Sequence, residues 1–270
     1  MKIKIIALSS LLFFTTFTSC TSYLTPAILG NNMGYMPKAM VADSVKTLMH
    51  VSASYASSIS PSAGTNFSIG MANVNRSNTF EKWNISYGIF GYAGRASGGD
   101  IDNSPKNLKN YLPPFRKSVG GAGLRLSAGP HRSSSNGNTD FRYLNIENAL
   151  SFESGDYAKF RKEVYNGPIT DYVAVTNMKV LWTTGISNEI VWRARNNHDF
   201  RHAFRLFIGG TPNFKSSFRS GAETNEIIRG KNSLGWIFNY FLYIKRFSLS
   251  YELADNVNYA QKISFGYSFQ

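Results

Sequence analysis

The residues most able to do chemistry are few and scattered. His198-Asp199-Phe200-Arg201-His202 puts two imidazoles and a carboxylate close together, a grouping that could ligate a metal or shuttle a proton. The zincin-type pattern of two His four positions apart places both on one face of a helix. Here the stretch opens a strand-like run, so a polar turn explains it better than a metal centre. His50 and His131 sit in other segments, and no Ser, His and acid share a local signature. Strands can still bring distant residues together, so His198, His202, Asp156 and Asp171 remain the set that a small surface enzyme acting on lipid or peptide would use. The glycine-rich GGAGLRLSAGP at 120–130 lacks the pattern of a phosphate-binding loop and suits close approach of strands instead. A lone cysteine, Cys20, excludes disulfide frameworks and multi-cysteine zinc or iron-sulfur sites. No metal or other cofactor is expected, and a non-enzymatic role is favoured over an enzymatic one.

Cys20 closes a three-part leader. Lys2 and Lys4 are followed by the apolar run Ile5 to Phe17, then by the small residues Thr18 and Ser19. The run is too short for a spanning helix, which needs ~20 apolar residues. Residues 1–20 therefore read as a signal peptide, and Phe17-Thr18-Ser19-Cys20 resembles a bacterial lipoprotein signal. That resemblance implies a mature chain beginning at an acylated Cys20, held at a membrane by its acyl chains at ~0.8 kcal/mol per buried methylene. The net charge of +13 falls by the two lysines to +11 in the mature chain, because residues 1–20 contain no acid.

The elements that must carry any site are strands. Hydrophobic residues are 43% of the 270, which excludes a disordered chain, yet charged residues are only 17% and aromatics 14%. Residues 21–45 are broken by Pro26, Gly30, Gly34 and Pro37 and read as a tether. Beyond Lys46 apolar residues recur with period two, the mark of strands with unlike faces. Tyr259, Ile263, Phe265, Tyr267 and Phe269 oppose Ala260, Lys262, Ser264, Gly266 and Ser268, and Met178 to Arg193 divides in the same way. Ten such segments lie between Val45 and Phe269, eight or twelve remaining open through splits and mergers. Long and short connections tend to alternate between them, with a medium gap at Gly129 to Asp140. Long loops on one side and short turns on the other suit a transmembrane barrel better than a soluble sandwich, and an even count puts both ends of the strand set on the short-turn side. The third long loop contains Asp156 to Asn166 (DYAKFRKEVYN), which reads as a short amphipathic helix.

Two models share this alternation. In a soluble, lipocalin-like barrel the polar set would face water and the rings would line a cavity for an apolar ligand. About thirty large apolar side chains would crowd a barrel of ten strands, and the aromatic residues at strand ends would lack a role. A lipid-facing belt with aromatic girdles accounts for both. The fold class is therefore all-β: a closed antiparallel transmembrane β-barrel over residues 46–270, with Trp182, Ile190, Trp192, Phe247, Tyr251, Phe265 and Phe269 facing lipid. Arg125, Glu147, Lys179, Glu189, Arg193, Arg205, Glu252 and Lys262 should face the lumen, as a packed ionic plug or the lining of a narrow aqueous path.

The cysteine motif, the ten segments and the final strand ISFGYSFQ with its alternate aromatics resemble Gram-negative outer-membrane β-barrel proteins, and among these the barrel lipoproteins of Bacteroidota-type envelopes. The resemblance implies export to the outer membrane, and reading of Phe265, Tyr267 and Phe269 by the assembly machinery. It transfers no catalytic residue. The expected role is structural or accessory in the envelope, or that of a narrow solute channel. Expected partners are outer-membrane lipid and lipopolysaccharide, drawn by the basic loop tracts Lys106 to Lys117 and Lys215 to Lys231, and other envelope proteins; nucleic acid is not expected.

Overall fold

The computed structural model describes residues 22–61, 64–98, 112–169, 173–194, 197–221 and 234–269. The leader with Cys20, Asp171, Gln270, the side chain of His198 and parts of both basic tracts lie outside the described residues.

Thirteen strands are present among the described residues. They are β1 (Ser22–Leu24), β2 (Thr47–Ile59), β3 (Thr65–Thr79), β4 (Trp83–Gly98), β5 (Phe115–Ser133), β6 (Thr139–Ser154), β7 (Val173–Thr176), β8 (Val180–Ala194), β9 (Asn197–Gly210), β10 (Phe218–Ser220), β11 (Leu234–Ile244), β12 (Phe247–Asn256) and β13 (Asn258–Phe269). Ten of them close a barrel in the order β2-β3-β4-β5-β6-β8-β9-β11-β12-β13, every pair antiparallel, with β13 returning to β2. This is the expected all-β closed barrel with the expected strand count. The period-two pattern becomes alternating burial: along β3, Phe67, Ile69, Met71, Asn73 and Asn75 point in while Ala72, Val74 and Arg76 point out.

One bulge, an extra residue on β6, re-aims that strand against both neighbours. The register shifts between Ala128 and His131 on β5 and between Arg142 and Asn145 on β6, where Leu144 sits at φ 52°. The bulge lets Arg142 and Glu147 both face the lumen although they are an odd number of residues apart.

The two mouths of the barrel differ. One carries the loops that follow β2, β4, β6, β9 and β12; the other carries tight turns such as 80–82, 134–138 and 245–246. The connection after β2, expected to be long, is only residues 60–64, and the gap at Gly129 to Asp140 shrinks to a turn because β5 runs on to Ser133. Over the long-loop mouth lie helix α1 (Asp156–Asn166), with the bounds read from its sequence, and a small sheet in which β1 pairs with β7 and β7 with β10.

The core is inside the cylinder. Leu24, Ile28, Phe67, Phe90, Tyr157 and Leu181 fill its upper part beneath the cap, and smaller apolar groups surround Met33 and Met40 lower down. At Gly123 an added Cβ would stand 2.4 Å from the ring of Phe90, so the glycine-rich stretch does serve close packing.

Candidate functional site: a lumen filled by the chain itself

Residues 21–45, read as a tether from their prolines and glycines, are the largest correction. From Ser22 at the long-loop mouth the described chain descends through the lumen, leaves at the short-turn mouth near Asp43 and turns into β2. The irregular composition that prevents a strand or helix also leaves backbone amides and carbonyls without regular partners, and buried ones must find them. The barrel wall provides these. Glu153 accepts from the Ala27 amide at 2.8 Å, Arg125 Nε donates to the Asn32 carbonyl at 2.7 Å, and Lys262 Nζ reaches the carbonyls of Asn31 and Met33. Lower down Arg142 and Thr79 donate to the Ala39 carbonyl at 3.0 and 2.8 Å, and Asp140 accepts from Val41. Gly34 lies flat against Arg125: an added Cβ would be 2.4 Å from its Nη1.

Most of the lumen charges are paired, while Arg125 bonds the Asn32 carbonyl and Asn73 Oδ1 instead of a carboxylate. Glu147 accepts from Arg205 Nε at 2.9 Å and from Ser187; Glu252 pairs with Lys262 and accepts from Asn239. Glu189 binds Arg142 at 3.0 Å and Lys38 at 3.8 Å and accepts from the Tyr35 hydroxyl. Asp43 closes the lower end against Arg193 and Arg201, at 2.9 and 2.7 Å. Arg125, Glu147, Glu189, Arg193, Arg205, Glu252 and Lys262 thus face inward as expected and are buried. Lys179 does not. It is exposed just before β8 begins, one residue outside the alternation that had assigned it to the lumen.

Sequence reasoning missed half of this network. Lys38 and Asp43 belonged to the supposed tether, and Arg142 takes the wrong parity unless the bulge at Leu144 is known. Glu153 and Arg161 pair at 2.8 Å where β6 gives way to α1, a contact that needs the helix folded back over the mouth. Among the described residues the lumen holds a polar cavity of about 20 Å³ bordered by His50, Ser54, Asn73 and Ser264, room for about one water.

The outward set keeps its assignment of direction. Phe247 and Phe265 are 67% and 65% exposed, Trp182 is 52%, Tyr251 and Phe269 are also exposed, and Ile190 and Trp192 are half-buried among outward neighbours. His202 belongs to this surface. Its ring stacks on Trp192 with centroids 5.1 Å apart, and Nδ1 meets the Tyr240 hydroxyl at 2.6 Å. Asp156 is at the opposite mouth, so the two described members of the set proposed for an enzyme, His202 and Asp156, are not brought together. Among the described residues no group of His, Cys, Asp or Glu could hold a metal.

At the cap, Asp156 accepts from the Ser118 hydroxyl at 2.8 Å and from Lys159. These bonds hold its carboxyl below the usual aspartate range, Ser118 contributing most. A depressed pKa stabilises the folded form above the unfolded value and loses that support as pH falls through the folded one. Amide exchange in α1 should therefore quicken on acidification below the normal aspartate range, and Asp156→Asn should remove that pH dependence. Unchanged protection across that range would refute it.

No family model matches the chain, and no curated protein matches it. Among solved structures it is similar to the translocator domain of the autotransporter NalP from Neisseria meningitidis, at 8% identity and a TM-score of 0.43, over 85% of this chain and 91% of that one. The transport unit of the autotransporter AIDA-I from Escherichia coli matches at 10% identity and 0.42, over 90% and 95%. The outer membrane protein OprG from Pseudomonas aeruginosa matches at 8% and 0.38, over 86% and 97%. The barrel itself rests on this chain's own strand register: a closed antiparallel cylinder of ten strands wrapped around its amino-terminal segment.

Proposed function

We propose that the protein is a sealed outer-membrane β-barrel, a structural or accessory component of a Gram-negative envelope, exported through residues 1–20 and acylated at Cys20. The observation that carries this reading is the pairing of an apolar outer belt with a lumen closed by residues 25–43. Large exposed side chains such as Tyr55, Trp83, Ile146, Phe247 and Phe265 ring the outside, far more than the isolated patches a soluble monomer tolerates. Hydrocarbon accepts such a surface, and a closed sheet leaves no backbone group unpaired within it. Water does not stabilise this surface, and a ligand-binding version of the barrel would need a far larger cavity than the one of about 20 Å³ that the described residues form inside the lumen. The same closure favours a structural role over an open solute channel.

The threading also bears on the side from which a mature amino terminus would leave the barrel. Ser22 stands at the long-loop mouth beside β7, and two residues of chain span at most about 7 Å. An acyl group on Cys20 would therefore enter the leaflet on the long-loop side, away from the ends of β2 and β13. Membrane extraction followed by gel electrophoresis tests the barrel: the unheated chain should run ahead of the boiled one, and a water-soluble monomer without residues 1–20 would overturn the reading. On intact cells Lys159→Cys at the long-loop mouth should react with an impermeant maleimide, and Lys245→Cys at the short-turn mouth should not.

A further inference from the structure

A groove of about 870 Å³ runs across the outside of the barrel, within the range of about 300–1,000 Å³ that ligand sites occupy. Its course follows a hydrogen-bonded row of outward residues: Val74 opposite Ile89, Ile89 opposite Leu124, Leu124 opposite Leu150, and Leu150 opposite Trp182. Four steps of about 4.8 Å make the row about 19 Å long. With strands tilted by about 40° it climbs about 12 Å along the barrel axis.

The two ends of the groove differ in chemistry. At the upper end Trp182 donates from Nε1 to Asn148 Oδ1 at 3.1 Å, which fixes the indole as a wall and satisfies an outward amide. At the lower end is Arg76, three residues from the short-turn end of β3, exposed between Met49 and Tyr87 on the neighbouring strands. It makes no hydrogen bond or ion pair among the described residues. A cation on the outer face costs ~2–4 kcal/mol at mid-membrane and ~0–1 near the interface. Arg76 is close enough to the mouth to lie at the interface, where phosphates lie.

From this we infer that the groove is a binding site for a glycerophospholipid of the leaflet at the short-turn mouth. The lipid phosphate pairs with Arg76, and one acyl chain rises past Ile89 and Leu124 to stop against Trp182. The arginine fork matches phosphate oxygens, and although Asn75, Arg125 and Asn148 also border the groove, its lining is mostly aliphatic and aromatic, which suits a methylene chain. The site rests on the outer-membrane reading above.

The test uses the full chain extracted in detergent, checked first for the heat-dependent gel shift, then given phosphatidylglycerol and examined by native mass spectrometry. Loss of the gel shift would count against the barrel itself, separately from the lipid site. One retained phospholipid is expected on the folded protein. Arg76→Gln should lower the retained fraction at least tenfold, Leu124→Trp should do so by filling the groove without touching charge, and Arg132→Gln, an outward cation at the same mouth outside the groove, should leave it unchanged. Retention by Arg76→Gln and Leu124→Trp at the wild-type level would overturn the assignment. So would equal loss in Arg132→Gln, or retention of lipopolysaccharide in place of phospholipid.

Discussion

Glu189→Ala is expected to destabilise the folded barrel by about 3–5 kcal/mol, the range for removing one partner of a buried ion pair. The carboxylate is shared by Arg142, Lys38 and Tyr35, so its loss leaves two cations and a hydroxyl in a space with almost no water. Arg142 keeps the Ala39 carbonyl and a 3.8 Å approach to Asp140, which do not replace a direct carboxylate contact. Denaturant unfolding in detergent, followed by tryptophan fluorescence, reads the change. A companion variant separates pairing from packing: Glu189→Leu combined with Arg142→Met and Lys38→Met replaces the cluster by apolar groups and should recover most of the loss. A shift below about 0.5 kcal/mol in the single variant, the level of an ordinary surface change, would mean that the cluster does not hold the lumen closed.

Deleting residues 25–40 is expected to turn a silent barrel into a conducting one. The full chain in a planar bilayer should pass no steady current, because its lumen retains room for about one water. The deletion removes the carbonyls that satisfy Arg125, Lys262 and Arg142, so water must enter to solvate those groups. Asp43→Ala leaves chain length alone and releases the lower clamp to Arg193 and Arg201 together with the bond from the Met40 amide; it should give intermittent openings. If the full chain conducts as well as the deletion, the segment does not close the lumen.

Much of this architecture is legible in the order of residues. Side chains alternate across a strand for reasons of backbone geometry alone, so Phe247, Phe265 and Trp182 declare one face and Glu252, Lys262 and Arg205 the other. The helix Asp156 to Asn166 was equally plain, since a local apolar period and a glycine on each side suffice. The site was half visible. Seven of the eight expected lumen charges are there, but Lys179 falls outside the ladder and Arg142 is hidden by a bulge, because parity carries across a strand only while its register is unbroken. His202 shows the opposite error: a residue type suggestive of chemistry, placed by strand direction into an aromatic belt.

Residues 22–45 mark the boundary between what the chain states and what the fold adds. Their own composition says only that they form no regular element, and that is as true of a solvated tether as of a segment packed in a barrel. The distinction comes from the wall, where Arg125, Arg142, Glu153 and Lys262 converge from strands far apart in sequence to bond a backbone without partners of its own. Strand pattern, strand number and the sidedness of the sheet follow from local periodicity. The closure of the lumen depends on long-range hydrogen bonds that exist only once the cylinder has formed.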